Sequence, residues 1–246
     1  MTDHAENNRR IAKNTLFLYF RTILIMLVTL YTSRVVLNML GVEDYGVYTA
    51  VGGVVSLFAV ISGAMSNAVS RFITYGIGKG NSDQLNNIFT TSVNVQILIS
   101  VIVLLLGETL GVWFVNSKMN IPYDRMAPAN WVLHCSLITF VINLISVPYN
   151  ACIIAYEHMK AYAYISIIDA ILKLGVAFML VVSPVDKLIA YSILLVIASL
   201  GVRLMYGLYC RRHFPESRYH FRFDKNLFRE MFGFAGWNFF GNATSI

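Results

Sequence analysis

The sequence predicts an all-α polytopic membrane protein: a six-helix transmembrane bundle followed by the start of a seventh helix. Three observations predict it. Of 246 residues, 57% are hydrophobic and only 13% charged, where an average soluble domain is about 25% charged. The apolar residues gather into six blocks of at least 23 residues, and about 20 suffice to cross a hydrocarbon core as a helix. The 19 Lys and Arg residues are also unevenly shared: with the N-terminus inside, twelve lie on the inner side, three on the outer side and four within the blocks. That positive-inside bias sets the N-terminus in the cytoplasm. It accounts for the net charge of +6 without a nucleic-acid partner, and makes the lipid bilayer the protein's surroundings.

The elements follow in order. Residues 1–14 form a polar cytoplasmic arm. The first block, Thr15–Leu40, ends at a tight outer turn, Gly41–Gly46 (GVEDYG), with glycine at each end for backbone freedom. The second, Val47–Ser70, leads into the longest polar stretch, Arg71–Asn87, where Ser82 or Asp83 is placed to cap a restarting helix. The third, Ile88–Val115, contains Gly107-Glu108-Thr109-Leu110-Gly111, a close-approach spacing with Glu108 expected as a solvated acid at the outer interface. An outer loop over Asn120–Pro128 precedes the fourth block, Asn130–Ala155, which Pro148 is expected to kink. The fifth, Ala161–Ser183, is closed by Pro184, and the sixth is Lys187–Tyr209.

Residues 210–230 read as a basic cytoplasmic connector near the headgroups. From Met231 only 16 residues remain, short of a span, so 231–246 reads as the truncated start of a second bundle. A short amphipathic tail on the inner surface is the alternative. Nothing in the chain reads as an enzyme. Cys135, Cys152 and Cys210 are odd in number and scattered, which suits packing better than a disulfide framework or a metal site. Gly76–Gly80 lacks the strand context and spacing of a phosphate loop. No cofactor is expected.

Thr32–Tyr48 (TSRVVLNMLGVEDYGVY), Gly63–Asn81 (GAMSNAVSRFITYGIGKGN) and Val147–Leu174 (VPYNACIIAYEHMKAYAYISIIDAILKL) resemble, in order and spacing, segments of polysaccharide flippases of the multidrug/oligosaccharidyl-lipid/polysaccharide exporter superfamily. The resemblance implies two helical bundles around a cavity that opens alternately to each side of a bacterial inner membrane. It implies as cargo an undecaprenyl-diphosphate-linked oligosaccharide, flipped from inner to outer leaflet during surface polysaccharide synthesis. This chain carries the N-terminal bundle only, so a C-terminal bundle is an expected partner.

Against that expectation the charges inside the blocks become candidates, because ionisable groups in a bilayer are expensive. Arg21, Arg34, Arg203 and Lys173 are the candidate cations of a cavity that binds the diphosphate, guanidinium being a planar fork of donors for phosphate oxygens. The competing reading is that the arginines snorkel to headgroups. Arg34 lies thirteen residues after Arg21, ~220° around a helix, so it is alternatively assigned to tie the outer turn through Glu43 or Asp44. Asp169 stands one turn before Lys173, suiting an i,i+4 ion pair, and is the ion-coupling candidate. Asn67, Asn94, Gln96, Asn143 and Asn150 are expected to hydrogen-bond between helices. Two other functions stay open: a multidrug cation exporter of the same superfamily, and a non-transporting membrane partner of polysaccharide synthesis. The first-helix arginines and the scarcity of intramembrane acids weigh against the cation exporter.

Overall fold

The computed structural model describes residues 2–181, 183–220 and 224–243, except the side chains of 2–14, 61, 235 and 238–243. Among the described residues every regular element is helical: α1 (Thr2–Ser56), α2 (Ala59–Lys79), α3 (Ser82–Leu106), a π-helical turn (Gly107–Gly111) running into α4 (Val112–Ser117), α5 (Met126–Ala155), α6 (Met159–Met179), α7 (Lys187–His213) and α8 (Lys225–Ala243). Among the described residues five stretches are long and apolar enough to cross a membrane: Thr15–Ser56, Ser82–Ser117, Tyr123–Ala155, Met159–Met179 and Lys187–His213.

The first of these has 42 residues, about 63 Å at the helical rise, roughly twice a bilayer core. It is two helices joined at Gly41, which adopts φ 83° and ψ 170°, a backbone state that residues with a Cβ avoid. The expected six-residue turn therefore contracts to one glycine, and Val42–Gly46 continue as helix. The second apolar block is likewise divided. It begins in α1, breaks at the turn Leu57–Phe58 and resumes in α2. Two further boundaries move: α6 stops at Met179, ahead of Pro184, and α8 starts at Lys225 and runs 19 residues, shortening the connector. α5 passes through Pro148 as one continuous helix. The arm before Thr15 is helical from Thr2.

Contacts between distant segments show how the chain is threaded. At one end, named outer after the expected orientation, Arg125 Nε lies 3.2 Å from Asp44 Oδ1, and Arg125 Nη1 lies 2.7 Å from Asp186 Oδ2. Asp186 also caps α7, accepting from the amides of Leu188 and Ile189. The carboxylate of Asp44 is thus met by Arg125, not by Arg34. At the other end Lys160 Nζ is 6.0 Å from the Phe17 ring, Tyr156 donates to Glu216, and the Asn86 amide donates to the carbonyls of Glu216 and Arg218. Residues 17, 86, 156 and 216 therefore share one end, and 44, 125 and 186 the other. Between Phe17 and Glu216 the chain passes from end to end six times.

α5 is the central element, packed on α7, α2 and α3, while α1 lies along α6 and α8 lies against α2 and α3. Val51, Val95, Leu133, Leu137 and Leu144 form the outer core; Ile73, Phe89, Ile153 and Met231 form the inner one. The opposite face of α1 carries Leu16, Phe20, Ile23, Leu27 and Leu30, each 59–70% exposed, a surface suited to hydrocarbon rather than water. The glycine pair on the third span makes the closest approach. A Cβ at Gly107 would overlap the Leu137 side chain, whereas one at Gly111 would stand 3.6 Å from Leu133. The same π turn brings Glu108 Oε1 to 2.8 Å from His134 Nδ1, so Glu108, expected as a solvated acid, is paired across helices while its side chain stays 44% exposed. Gln96 departs from expectation as well: it is fully buried, and neither end of its amide finds a partner.

Two predictions follow from this packing. Overpacking a filled core position costs about 1–3 kcal/mol, so Gly107→Ala is expected to lower the thermal midpoint of the purified protein by several degrees, with Gly111→Ala close to wild type; equal effects would contradict the packing. The second concerns Asp224, whose Oδ1 accepts from the Leu227 and Asn226 amides and whose Oδ2 accepts from Asn87. The Leu227 amide does most to hold this carboxyl below its usual range; burial opposes it, and the Asn87 side chain and the Asn226 amide add smaller downward effects. A depressed pKa stabilises above the unfolded value of ~3.9 and is lost as pH falls through the folded value. The protection factors of amides at the start of α8, taken against the intrinsic rate at each pH, are therefore expected to fall below about pH 4 in wild type. Asp224→Ala, costing about 1 kcal/mol, should show the lower protection at every pH.

Candidate functional site

Between α1, α5, α6 and α7 runs an internal cleft of three connected lobes. The inner lobe, about 370 Å³, is lined by Arg21, Thr29, Asn143, Asn150, Tyr162, Asp169, Lys173, Ser199 and Arg203, among others. The outer lobe, about 350 Å³, shares Thr29, Lys173 and Ser199 with it and continues past Thr32, Tyr45, Tyr48, Thr139 and Tyr191. A side lobe of about 240 Å³ shares Tyr48 and Thr139 with the outer lobe and Asn143 with the inner one. Thr32 precedes Gly41 and Tyr45 follows it, so the glycine break lets both limbs of α1 face one cavity.

Four of the five candidate residues meet in the inner lobe. α1 supplies Arg21, α6 supplies Asp169 and Lys173 a turn apart, and α7 supplies Arg203. Lys173 Nζ donates to Asp169 Oδ2 at 2.9 Å. The guanidinium of Arg21 lies over the Tyr162 ring, 4.4 Å from its centroid, and that of Arg203 lies over the Tyr149 ring at 3.8 Å. A ring beneath the guanidinium attracts its charge through the quadrupole and leaves the edge donors free to meet oxygen acceptors. Gly207 leaves room for Arg203: a Cβ there would come 3.0 Å from Nη1. Among the described residues the Nε–H of Arg21 finds no acceptor, and Asn150 Oδ1, which also borders this lobe, finds no donor. With three cations against one carboxylate, the lobe is formally +2.

Arg34 is not part of this group. It is exposed on α1 and borders none of the lobes, as the ~220° offset from Arg21 requires. Asn143 and Asn150 border the cleft rather than bridging helices, and Asn94 accepts from the Tyr219 hydroxyl near the inner end. Sequence reasoning did not single out Tyr149 and Tyr162 as partners of the arginines, nor the hydroxyls of the outer lobe. The side chains that stack come from different helices, and no local spacing marks them. Among the described residues no group of three or more His, Cys, Asp or Glu side chains is placed to hold a metal ion.

Comparison with known proteins places this cleft in a family. The sequence pattern of the MatE family matches residues 18–179, more than half of the chain, taking in Arg21, Asp169, Lys173 and both limbs of α1. Over 129 residues, 52% of the chain, the sequence is 23% identical to the "Uncharacterized membrane protein EpsK" of Bacillus subtilis (strain 168). The matched stretch is 25% of that protein, so the chain spans about a quarter of the length of the curated relative it matches. A multi-pass helical bundle enclosing a cleft, with the family pattern over two-thirds of its length, identifies the chain as a member of the MatE family of membrane transporters, within the multidrug/oligosaccharidyl-lipid/polysaccharide exporter superfamily.

Proposed function

We propose that the protein is the N-terminal bundle of a flippase that carries an undecaprenyl-diphosphate-linked oligosaccharide from the inner to the outer leaflet of a bacterial inner membrane by alternating access. In this reading the N-terminus is cytoplasmic and a second bundle completes the cavity. The observation that carries the proposal is the charge of the inner lobe: Arg21, Arg203 and Lys173 face one cavity against the single carboxylate of Asp169. An intramembrane cation costs about 3 kcal/mol on insertion scales, and Lys173 is offset by Asp169 while the two arginines rest on aromatic rings. An anionic cargo supplies the missing counter-charge. A diphosphate suits it better than a lone carboxylate, because two guanidinium forks on different helices offer more donors than one carboxylate accepts. A cationic cargo would meet like charge in the same lobe.

Asp169 and Lys173 take the ion-coupling role. Their pair neutralises the lobe wall in one state, and exchange of partners during the transport cycle frees Lys173 for the cargo. Arg34, outside the cleft, serves at the outer headgroup level.

Losing a charge-assisted hydrogen bond costs about 1.5–3 kcal/mol. Arg21→Ala and Arg203→Ala in the full-length protein are therefore expected to cut surface-polysaccharide export at least ~tenfold at unchanged protein level, with Arg34→Ala near wild type. Undiminished export in the Arg21/Arg203 double variant would overturn the assignment, and energy-dependent efflux of a cationic dye would point to a drug exporter instead. For the ion pair, a double-mutant cycle of Asp169→Asn and Lys173→Met read by export should show a coupling of about 1 kcal/mol; additive losses would separate the two roles.

A further inference from the structure

The outer and side lobes differ in chemistry from the inner one. Among the described residues the single charged group bordering the outer lobe is Lys173, on the wall shared with the inner lobe and already paired with Asp169, and none borders the side lobe. The rest of their polar lining consists of hydroxyls and amides, and the direction of their hydrogen bonds is informative. Thr32 donates to the Val28 carbonyl at 2.7 Å, Ser192 to Ile189 at 2.9 Å and Ser199 to Leu195 at 2.8 Å. Each has spent its one proton on its own helix and presents only oxygen lone pairs to the cavity. Thr139, on the wall between the two lobes, has a buried hydroxyl with no partner among the described residues, so it can donate as well as accept. Beside it Tyr48 and Tyr191 meet edge to face at 5.0 Å between ring centroids.

A wall of hydroxyls and an amide without a free cation suits a ligand that donates and accepts hydrogen bonds and carries no negative charge. A carboxylate or sulfate would lose its hydration there with no free cation to offset the cost. A neutral polyhydroxylated ring donates from several hydroxyls and lays its C–H face on tyrosine. We infer that the outer and side lobes form a subsite for an uncharged glycan, distinct from the cationic inner lobe, and that they select neutral over acidic sugars at the cargo's non-lipid end. The cleft then fixes the cargo's direction: charged linkage toward the inner half, sugar toward the outer. This rests on the flippase reading for the identity of the linkage, but the selectivity it claims belongs to the outer lobes alone.

The test uses the full-length protein in lipid nanodiscs and three probes of equal chain length: farnesyl diphosphate, the same diphosphate bearing a neutral disaccharide, and one bearing a disaccharide that ends in glucuronic acid. The neutral disaccharide is expected to bind at least ~tenfold tighter than bare farnesyl diphosphate, the equivalent of one or two net hydrogen bonds, and the acidic one no tighter than the bare diphosphate. Thr139→Val and Tyr191→Ala should each shrink the gain several-fold while leaving farnesyl diphosphate affinity unchanged, which also reports that the variants fold. Equal or stronger binding of the acidic disaccharide overturns the inference, as does a neutral-sugar gain that both variants leave intact. A protein that prefers the neutral disaccharide yet binds farnesyl diphosphate no better after restoring Arg21 and Arg203 than in their alanine variants would keep the inference and remove the diphosphate reading.

Discussion

A guanidinium or ammonium group at the level of the hydrocarbon core has to face protein or water, and much of this bundle's internal arrangement answers that requirement. Arg21 enters from α1, Lys173 from α6 and Arg203 from α7, and all three turn onto one cleft. Arg21 and Arg203 lie on the rings of Tyr162 and Tyr149, so part of the cost is offset by cation–π attraction. The aromatic rings also immobilise the long side chains, limiting the entropy that a ligand would otherwise have to remove. Opposite this polar interior, α1 presents leucine, isoleucine and phenylalanine outward, the inverse of a soluble helix.

The cleft needs its two limbs of α1 held apart at the outer end and its helices held together elsewhere. Gly41 supplies the first by breaking the helix in one residue. Arg125 supplies part of the second, joining the connections that carry Asp44 and Asp186. On the inner side, Glu216 and Asp224 tie the connector to the start of α3 through Asn86 and Asn87, while Met231 of α8 is completely buried against the first bundle. α8 is therefore packed as part of this bundle's inner half.

The crossings were legible in the sequence because a span must be about 20 apolar residues long whatever else it does, and blocks of that length are conspicuous at 57% hydrophobic. Their edges were less so. α3 extends six residues ahead of its apolar block because the Asn81 side chain caps it and Asn86 and Asn87 are held by the connector, contacts that depend on chain more than a hundred residues away. Arg21 and Asp169–Lys173 could be singled out from local facts alone: charge in an apolar block, and an i,i+4 spacing. The stacking of Arg203 on Tyr149, the pairing of Glu108 with His134 and the capture of Asp44 by Arg125 could not, since each joins residues whose proximity is created only by helix packing. The hydroxyls of the outer lobe were hidden for another reason. Serine and threonine in an apolar helix satisfy their proton on the preceding turn, and only the three-dimensional cleft shows which of them keep an open lone pair.

The central claim is that the inner lobe is a water-accessible cationic site for diphosphate. It is tested most directly by placing a cysteine at Asn143, where the inner and side lobes join, in a full-length protein whose buried Cys135, Cys152 and Cys210 are replaced by alanine. The rate of labelling by a small uncharged methanethiosulfonate reagent is then followed with and without inorganic pyrophosphate. The account predicts that labelling proceeds, that pyrophosphate slows it several-fold, and that Arg21→Ala with Arg203→Ala abolishes the protection. Labelling at the same rate with and without pyrophosphate, in a protein that still transports, would contradict it.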